Sequence, residues 1–249
     1  MIKRIIMASN HFPEVSWRNV GTRMKAIVLD GLAMSKVIHI EITQEVNLMK
    51  EKYGLVPGLA IVRVGDDPAS AVYVRNKCLA AEKAGMSVYE YELPLKTSHD
   101  EVKHMVDNLN IRTDLHGIII QFPLPKQIRE DELMESIDIH KDVDGLHPAN
   151  VGLLMSGKPN LIPATPLAIQ QLLLRSGYDP ESKHVVVCGR SKIVGKPIAA
   201  LLMQKLDGSN ATVTVCPREC SPQHAWECAY LSSSSELHSG PQPLTPIFV

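Results

Sequence analysis

Aromatic residues make up only 4% of this 249-residue chain, and neither charge is in excess: 26 Lys plus Arg stand against 27 Asp plus Glu, a formal net charge of −1. That balance argues against a strongly basic nucleic-acid binder and leaves only a local patch as a route to such a partner. No apolar run approaches the roughly 18–20 residues of a membrane-spanning helix, so no membrane partner is expected. Cysteine is sparse and odd in number, five in all, which does not read as a disulfide framework. A reducing, cytoplasmic setting is the expectation. What the chain has in quantity is apolar residue, 45%, enough for a sizeable core in one or two domains.

Both ends differ from the middle. Residues 1–23 carry Lys3, Arg4, Arg18 and Arg23 against the single acid Glu14 and read as a basic extension upstream of Met24. An acid-poor leader of this kind also fits a mitochondrial presequence, with the matrix as the alternative compartment. From Met24 to about Cys216 helical and strand patterns alternate. Leu32, Ile38, Ile42, Val46 and Met49 recur at near-helical spacing, with Gly54 as a stop. The β-branched run 59–64 reads as a strand. Asp67-Pro68 starts a helix that should run to Ala84, with Gly85 at its end. An amphipathic segment over 98–110 precedes the strand 117–121, apolar on both faces as a buried parallel strand must be. A helix over 166–176, a strand at 185–187, a helix over 194–204 and a strand at 211–215 follow. Strand–helix–strand repetition implies parallel sheets and an α/β class. Residues 217–249 hold five prolines and six serines, a composition that predicts a disordered tail.

Four places in the alternating region can carry chemistry. Tyr73 and Lys77 lie four apart and share a helix face; a lysine beside a ring can be partly desolvated, lowered in pKa and usable as a base, or it can simply be solvated. Gln121 ends a buried strand, where open α/β sheets place ligand contacts, though a glutamine there can equally cap loop amides. Asp142 and Asp144 flank Val143 beside Gly145; taken alone this is a turn, and no further ligand at suitable spacing makes it a metal site. The stretch from Val185 through Gly189, Arg190 and Ser191 to Gly195 brings a strand through two glycines into a helix, a layout that lets phosphates approach helix N-terminal amides. Ser191 replaces the middle glycine of the full dinucleotide fingerprint. Arg190 is placed to pair with a 2′-phosphate, favouring NADP over NAD. Cys216, Cys220, His224 and Cys228 are spaced by four, but Pro217 and Pro222 interrupt any common helix face, and no metal is expected.

Together these segments resemble one family, the bifunctional methylenetetrahydrofolate dehydrogenase/methenyltetrahydrofolate cyclohydrolases. The resemblance rests on Tyr73-Val74-Arg75-Asn76-Lys77, Ile120-Gln121-Phe122-Pro123-Leu124-Pro125, Lys141-Asp142-Val143-Asp144-Gly145 and Gly189-Arg190-Ser191 with Val194-Gly195, in that order. Gly65 through Ser70 and Pro163 through Pro166 support it, and it covers about residues 24–216. It implies a three-layer α/β/α folate-binding catalytic domain over 24–160 and a partial Rossmann-type NADP-binding domain over 161–216. It further implies Lys77 as the central catalytic residue and Gln121 as its positioner, bonding the neutral amine. Tyr73 would stack on the aminobenzoyl part of the folate and Asp144 would bond the pterin, with Ile120 and Phe122 completing the substrate set. Gly189, Arg190 and Ser191 would hold NADP, with NAD as the other candidate. A tetrahydrofolate derivative is the implied substrate and a homodimer through the Rossmann domain the implied assembly. After Cys216 the resemblance stops. The strands at 185–187 and 211–215 are therefore expected to lose part of their cover. The alternatives are a catalytically impaired fragment of the family or another NADP-dependent dehydrogenase.

Overall fold

The computed structural model describes residues 29–218 and the backbone of 247–248. The basic extension 1–23, most of the tail, and with it Cys220, His224 and Cys228 lie outside the described residues. The described residues form two compact units, one of Ser35–Ala164 and one of residues 165–218 with 247–248 and 29–34.

The first unit is built on a parallel sheet of order β2-β1-β3, with β1 at Gly58–Val64, β2 at Ser87–Leu93 and β3 at Gly117–Ile120. β1 is central, and its Ala60, Ile61 and Val62 are fully buried. Strand alternation sends Ile61 and Ile119 to the face covered by α2 (Pro68–Lys83), where they meet Val74 and Cys78. Ala60, Val62, Val64, Ile118 and Ile120 point the other way, against Val102, Val106 and Leu109 of α3 (His99–Asn110) and Leu133 and Met134 of α4 (Glu130–Glu135). The result is the expected three-layer α/β/α arrangement. Each of the Val, Leu, Ile and Met side chains among these contributes roughly 1.5–3 kcal/mol by leaving water. Helix starts follow the local chemistry. Asp67 caps α2 by accepting from the Ser70 amide at 2.7 Å, and Ser98 and Glu101 form a reciprocal capping box on α3. Lys141 closes the other end of α3, its Nζ donating to the carbonyls of Asn110 at 2.7 Å and Arg112 at 2.6 Å. The long helix α1 (Gly31–Tyr53) and the short α5 (Pro148–Met155) complete this part of the chain.

Three elements went unread in the sequence. β2 shows strict alternation, Tyr89, Tyr91 and Leu93 packing on the α3 side between the exposed Glu90 and Glu92. The signal for α4 is its acidic first turn, Glu130-Asp131-Glu132. For α5 it is Pro148 at the first turn.

The second unit has the parallel order β5-β4-β6, with β4 at His184–Cys188, β5 at Thr212–Cys216 and β6 at Ile247–Phe248. Helices α6 (Ala164–Arg175) and α7 (Gly195–Leu202) belong with it, α7 buried along nearly its whole length. Two expectations need correction here. The tail was read as free of regular structure, yet residues 247–248 pair in parallel with Val185 and Val186. Val185–Val187 were expected to lose cover and are instead buried, with a strand on each side. β5 does behave as expected, leaving Val215 44% exposed. Among the described residues no helix is long and apolar enough to cross a membrane.

Candidate active site and nucleotide turn

The carboxyl end of the first sheet gathers three of the residues singled out in the sequence. Lys77 sits in α2, half-buried, one turn beyond the half-buried Tyr73. Gln121 leaves β3 with its amide still in the ladder, donating to the Val62 carbonyl at 2.9 Å. Across 44 positions of chain, Lys77 Nζ donates to Gln121 Oε1 at 3.2 Å. The other end of the carboxamide is held as well: Gln121 Nε2 donates to the Phe122 carbonyl at 2.6 Å. The acceptor is an amide oxygen, so Gln121 holds Nζ in place.

Asp142 and Asp144 have separate jobs. Asp142 is fully buried and accepts from the His147 amide and Asn150 Nδ2, each at 2.8 Å. It is a structural clasp. Gly145 follows at φ +64, and a Cβ there would stand 2.5 Å from the Pro163 nitrogen, so the turn admits no side chain. This frame holds Asp144, where burial pushes the carboxyl up from its ordinary range, Lys77 partly offsets that, and Asp142 adds to it. Asp144 and Lys77 thus share one electrostatic environment.

Ionising Asp144 opposes folding, because its folded-state pKa lies above the unfolded one. The stability it contributes is complete below the unfolded value and is lost as pH rises through the raised folded value. Asp144→Asn stays neutral throughout. It is expected to be more stable than the parent at neutral pH, by about 0.5–2 kcal/mol as for other single stabilising changes. The advantage should shrink as pH falls into the carboxylate range. Thermal melts across that range check this, and a variant melting below the parent at neutral pH would contradict it.

The remaining expected substrate contacts are placed differently. Ile120 is 2% exposed in the α3-side core, so only its main chain faces the strand end. Phe122 is half-buried and packs against the same cluster. A cleft of about 550 Å³ lined by Tyr91, Leu93, Met105 and Arg112 lies between β2 and α3, and none of the expected site residues lines it. Ser70 was not singled out; it is buried, and its Oγ lies 3.4 Å from the Phe122 carbonyl that Gln121 also uses. Its only local signal was its place as the capped residue after Asp67.

In the second unit β4 runs into Gly189, whose φ is +138 and whose missing Cβ would meet nothing within 4 Å. Its amide donates to the Cys216 carbonyl at 2.9 Å. Gly195 makes the opposite use of its size: a Cβ there would lie 2.3 Å from the Gly189 carbonyl oxygen and 2.8 Å from Arg190 Cα. The two glycines thus bring the start of α7 onto the end of β4, leaving open space at Gly189, as a dinucleotide turn requires. Arg190 is exposed beside it. Ser191 has a role that spacing did not reveal: its Oγ accepts from the amides of Val194 and Gly195, both at 3.2 Å. It caps α7 and keeps a hydroxyl proton to donate. Among the described residues no cluster of three metal-ligating side chains forms.

Comparison with known proteins agrees with this geometry. Residues 29–144 match the family model of the tetrahydrofolate dehydrogenase/cyclohydrolase catalytic domain, and residues 163–228 match that of its NAD(P)-binding domain. The second match runs past Cys216, where the sequence reading ended the resemblance. The bifunctional protein FolD of Magnetococcus marinus is 47% identical over 191 residues, covering 77% of this chain and 66% of that protein. FolD 2 of Geobacter metallireducens is 48% identical over 189 residues, covering 76% and 65%. The chain thus spans slightly less than two thirds of the length of these curated relatives. The Campylobacter jejuni FolD crystal structure superposes with a TM-score of 0.72 at 39% identity, covering 77% of this chain and 67% of that one. The Trypanosoma brucei enzyme, complexed with NADP and an inhibitor, gives 0.75 at 32% identity over 90% and 71%. On these matches, over both units, the chain belongs to the tetrahydrofolate dehydrogenase/cyclohydrolase family.

Proposed function

We propose that this chain oxidises 5,10-methylenetetrahydrofolate to the 5,10-methenyl form with NADP and hydrolyses that product to 10-formyltetrahydrofolate. The observation that carries the reading is the Lys77 Nζ to Gln121 Oε1 hydrogen bond at 3.2 Å, with Asp144 in the same electrostatic environment. The activities named for its relatives and the open glycine turn support it.

Gly189, Arg190 and Ser191 would hold NADP, which would supply the hydride acceptor: the first would admit its close approach, the second would pair with the 2′-phosphate, and the third would donate its hydroxyl proton. Tyr73 stacks on the aminobenzoyl ring and Asp144 accepts from the pterin. For hydrolysis, water adds to the cationic methenyl carbon. Lys77, held by Gln121, takes the proton that the water sheds and returns it to the departing nitrogen, a general acid–base role worth about 10²–10⁴-fold in rate.

Arg190→Ala is expected to weaken NADP by about 10- to 150-fold, the loss of one charge-assisted pair of roughly 1.5–3 kcal/mol, while NAD affinity changes little. Cofactor titrations read this directly, and equal losses for both dinucleotides would place Arg190 elsewhere. The activity itself is tested by assaying NADP-dependent oxidation and methenyl hydrolysis separately on the full chain. Cofactor binding without turnover of either folate would favour an impaired member of the family.

A further inference from the structure

Arg63 takes no part in the chemistry above, yet it is 9% exposed at the carboxyl end of an otherwise apolar β1. It follows Val62, whose carbonyl receives the Gln121 amide. Its guanidinium bridges two segments: Nη1 donates to the Gly65 carbonyl at 2.7 Å, and Nη2 pairs with the Glu92 carboxylate on β2. Gly65 in turn donates its amide to the Leu93 carbonyl at 2.8 Å. The position of its absent Cβ lies 3.9 Å from Pro125 Cγ, in the segment that follows Gln121. Two residues after Gly65, Asp67 caps α2 through Ser70, and Ser70 Oγ reaches the Phe122 carbonyl that orients Gln121. One cation therefore anchors the turn that both starts the helix of Lys77 and abuts the loop of Gln121.

We propose that Arg63, with Glu92, is a positioning residue for the Lys77–Gln121 pair: by bridging Gly65 and Glu92 it sets where α2 begins relative to the end of β3. The proposal rests on the function read above for this site. A buried guanidinium is costly unless it is well paired, and its partner Glu92 is 60% exposed, so the carboxylate stays solvated when the arginine is replaced by an apolar residue. Arg63 even leaves its Nε buried with no hydrogen-bond partner among the described residues. Its contribution is therefore geometric rather than to overall stability. The Ser70 hydrogen bonds hold the Asp67 carboxyl low against burial, and the Arg63 charge adds a smaller effect in the same direction.

Arg63→Leu, Arg63→Lys and Glu92→Gln, made in the full chain, test this by hydrogen exchange of the first turn of α2, thermal melts, and steady-state methenyl hydrolysis. Arg63→Leu should speed exchange at Ser70 and Ala71 and lower kcat about tenfold, since ångström-scale misplacement costs up to about 100-fold. KM and the melting temperature should change little. Arg63→Lys, which can still reach one of the two acceptors, should recover part of kcat, and Glu92→Gln should fall between. Unchanged exchange, or a kcat loss that only tracks the unfolded fraction, would overturn the proposal. If the parent chain shows no turnover, the functional reading fails separately, and the exchange result still decides whether Arg63 anchors α2.

Discussion

Lys77→Met is expected to lower methenyl hydrolysis by at least about 10²–10⁴-fold, the usual worth of a positioned acid–base group, in a chain that still folds. Methionine keeps the length of the side chain and nearly the helix propensity of lysine, and position 77 is half-buried, so the fold loses little. What goes is the amine bonded to Gln121 Oε1. A second effect follows from the shared environment. Lys77 offsets part of the burial that raises the Asp144 carboxyl, so removing it moves that carboxyl further up, and the pH below which Asp144 is neutral rises with it. Steady-state hydrolysis with a thermal melt on the same sample checks the first effect, and a titration of Asp144 by nuclear magnetic resonance checks the second. Hydrolysis within twofold of the parent would sink the assignment of Lys77.

Gly195→Ala is expected to cost about 1–3 kcal/mol, the usual penalty for forcing a methyl into packed space, and to weaken NADP at least about tenfold. The methyl would meet main chain, not a yielding side chain: the Gly189 carbonyl oxygen at 2.3 Å, its carbon at 2.6 Å and Arg190 Cα at 2.8 Å. Either α7 retreats or the Gly189–Ser191 turn opens, and both disturb the amides that Ser191 now caps. Gly152→Ala in α5 is the control. Nothing lies within 4 Å of its Cβ position, so alanine should stabilise by about 0.5–1 kcal/mol through helix propensity. Chemical denaturation and a cofactor titration on both variants make the comparison. Equal stability and equal affinity for Gly195→Ala and the parent would show that the close approach of the two glycines is dispensable.

Features carried by a few neighbouring residues were legible in the sequence. Asp67-Pro68 announced α2, the amphipathic pattern over 98–110 announced α3, and the apolar runs at 59–64 and 117–121 announced strands, the second of them buried on both faces. Each such signal is chemistry between residues one to four apart, which the chain expresses wherever it goes. The three-layer first unit and the glycine turn after β4 follow from that patterning together with the family resemblance. Short elements such as β2 and α4 were legible in principle, through alternation and an acidic first turn, but their signals span only a few residues and compete with loop readings.

Other features depended on what distant segments bring. Nothing local separates Asp142 from Asp144. The sheet buries the first against Asn150 and the His147 amide, while the second is left within the field of Lys77. Ile120, inside the motif that names the family, spends its side chain on the α3-side core because strand alternation turns it away from α2. Ser191 caps α7 because Gly195 lets the helix close onto the strand end. Residues 247–248 carry no pattern long enough to read, and they become a strand only because β4 offers an open edge. The sequence by itself determined the longer helices and the buried central strands, since those choices are made by near neighbours. Tertiary structure decided which distant polar groups meet, because the free energy of a buried charge or hydrogen bond depends on partners that here lie as many as 58 residues away.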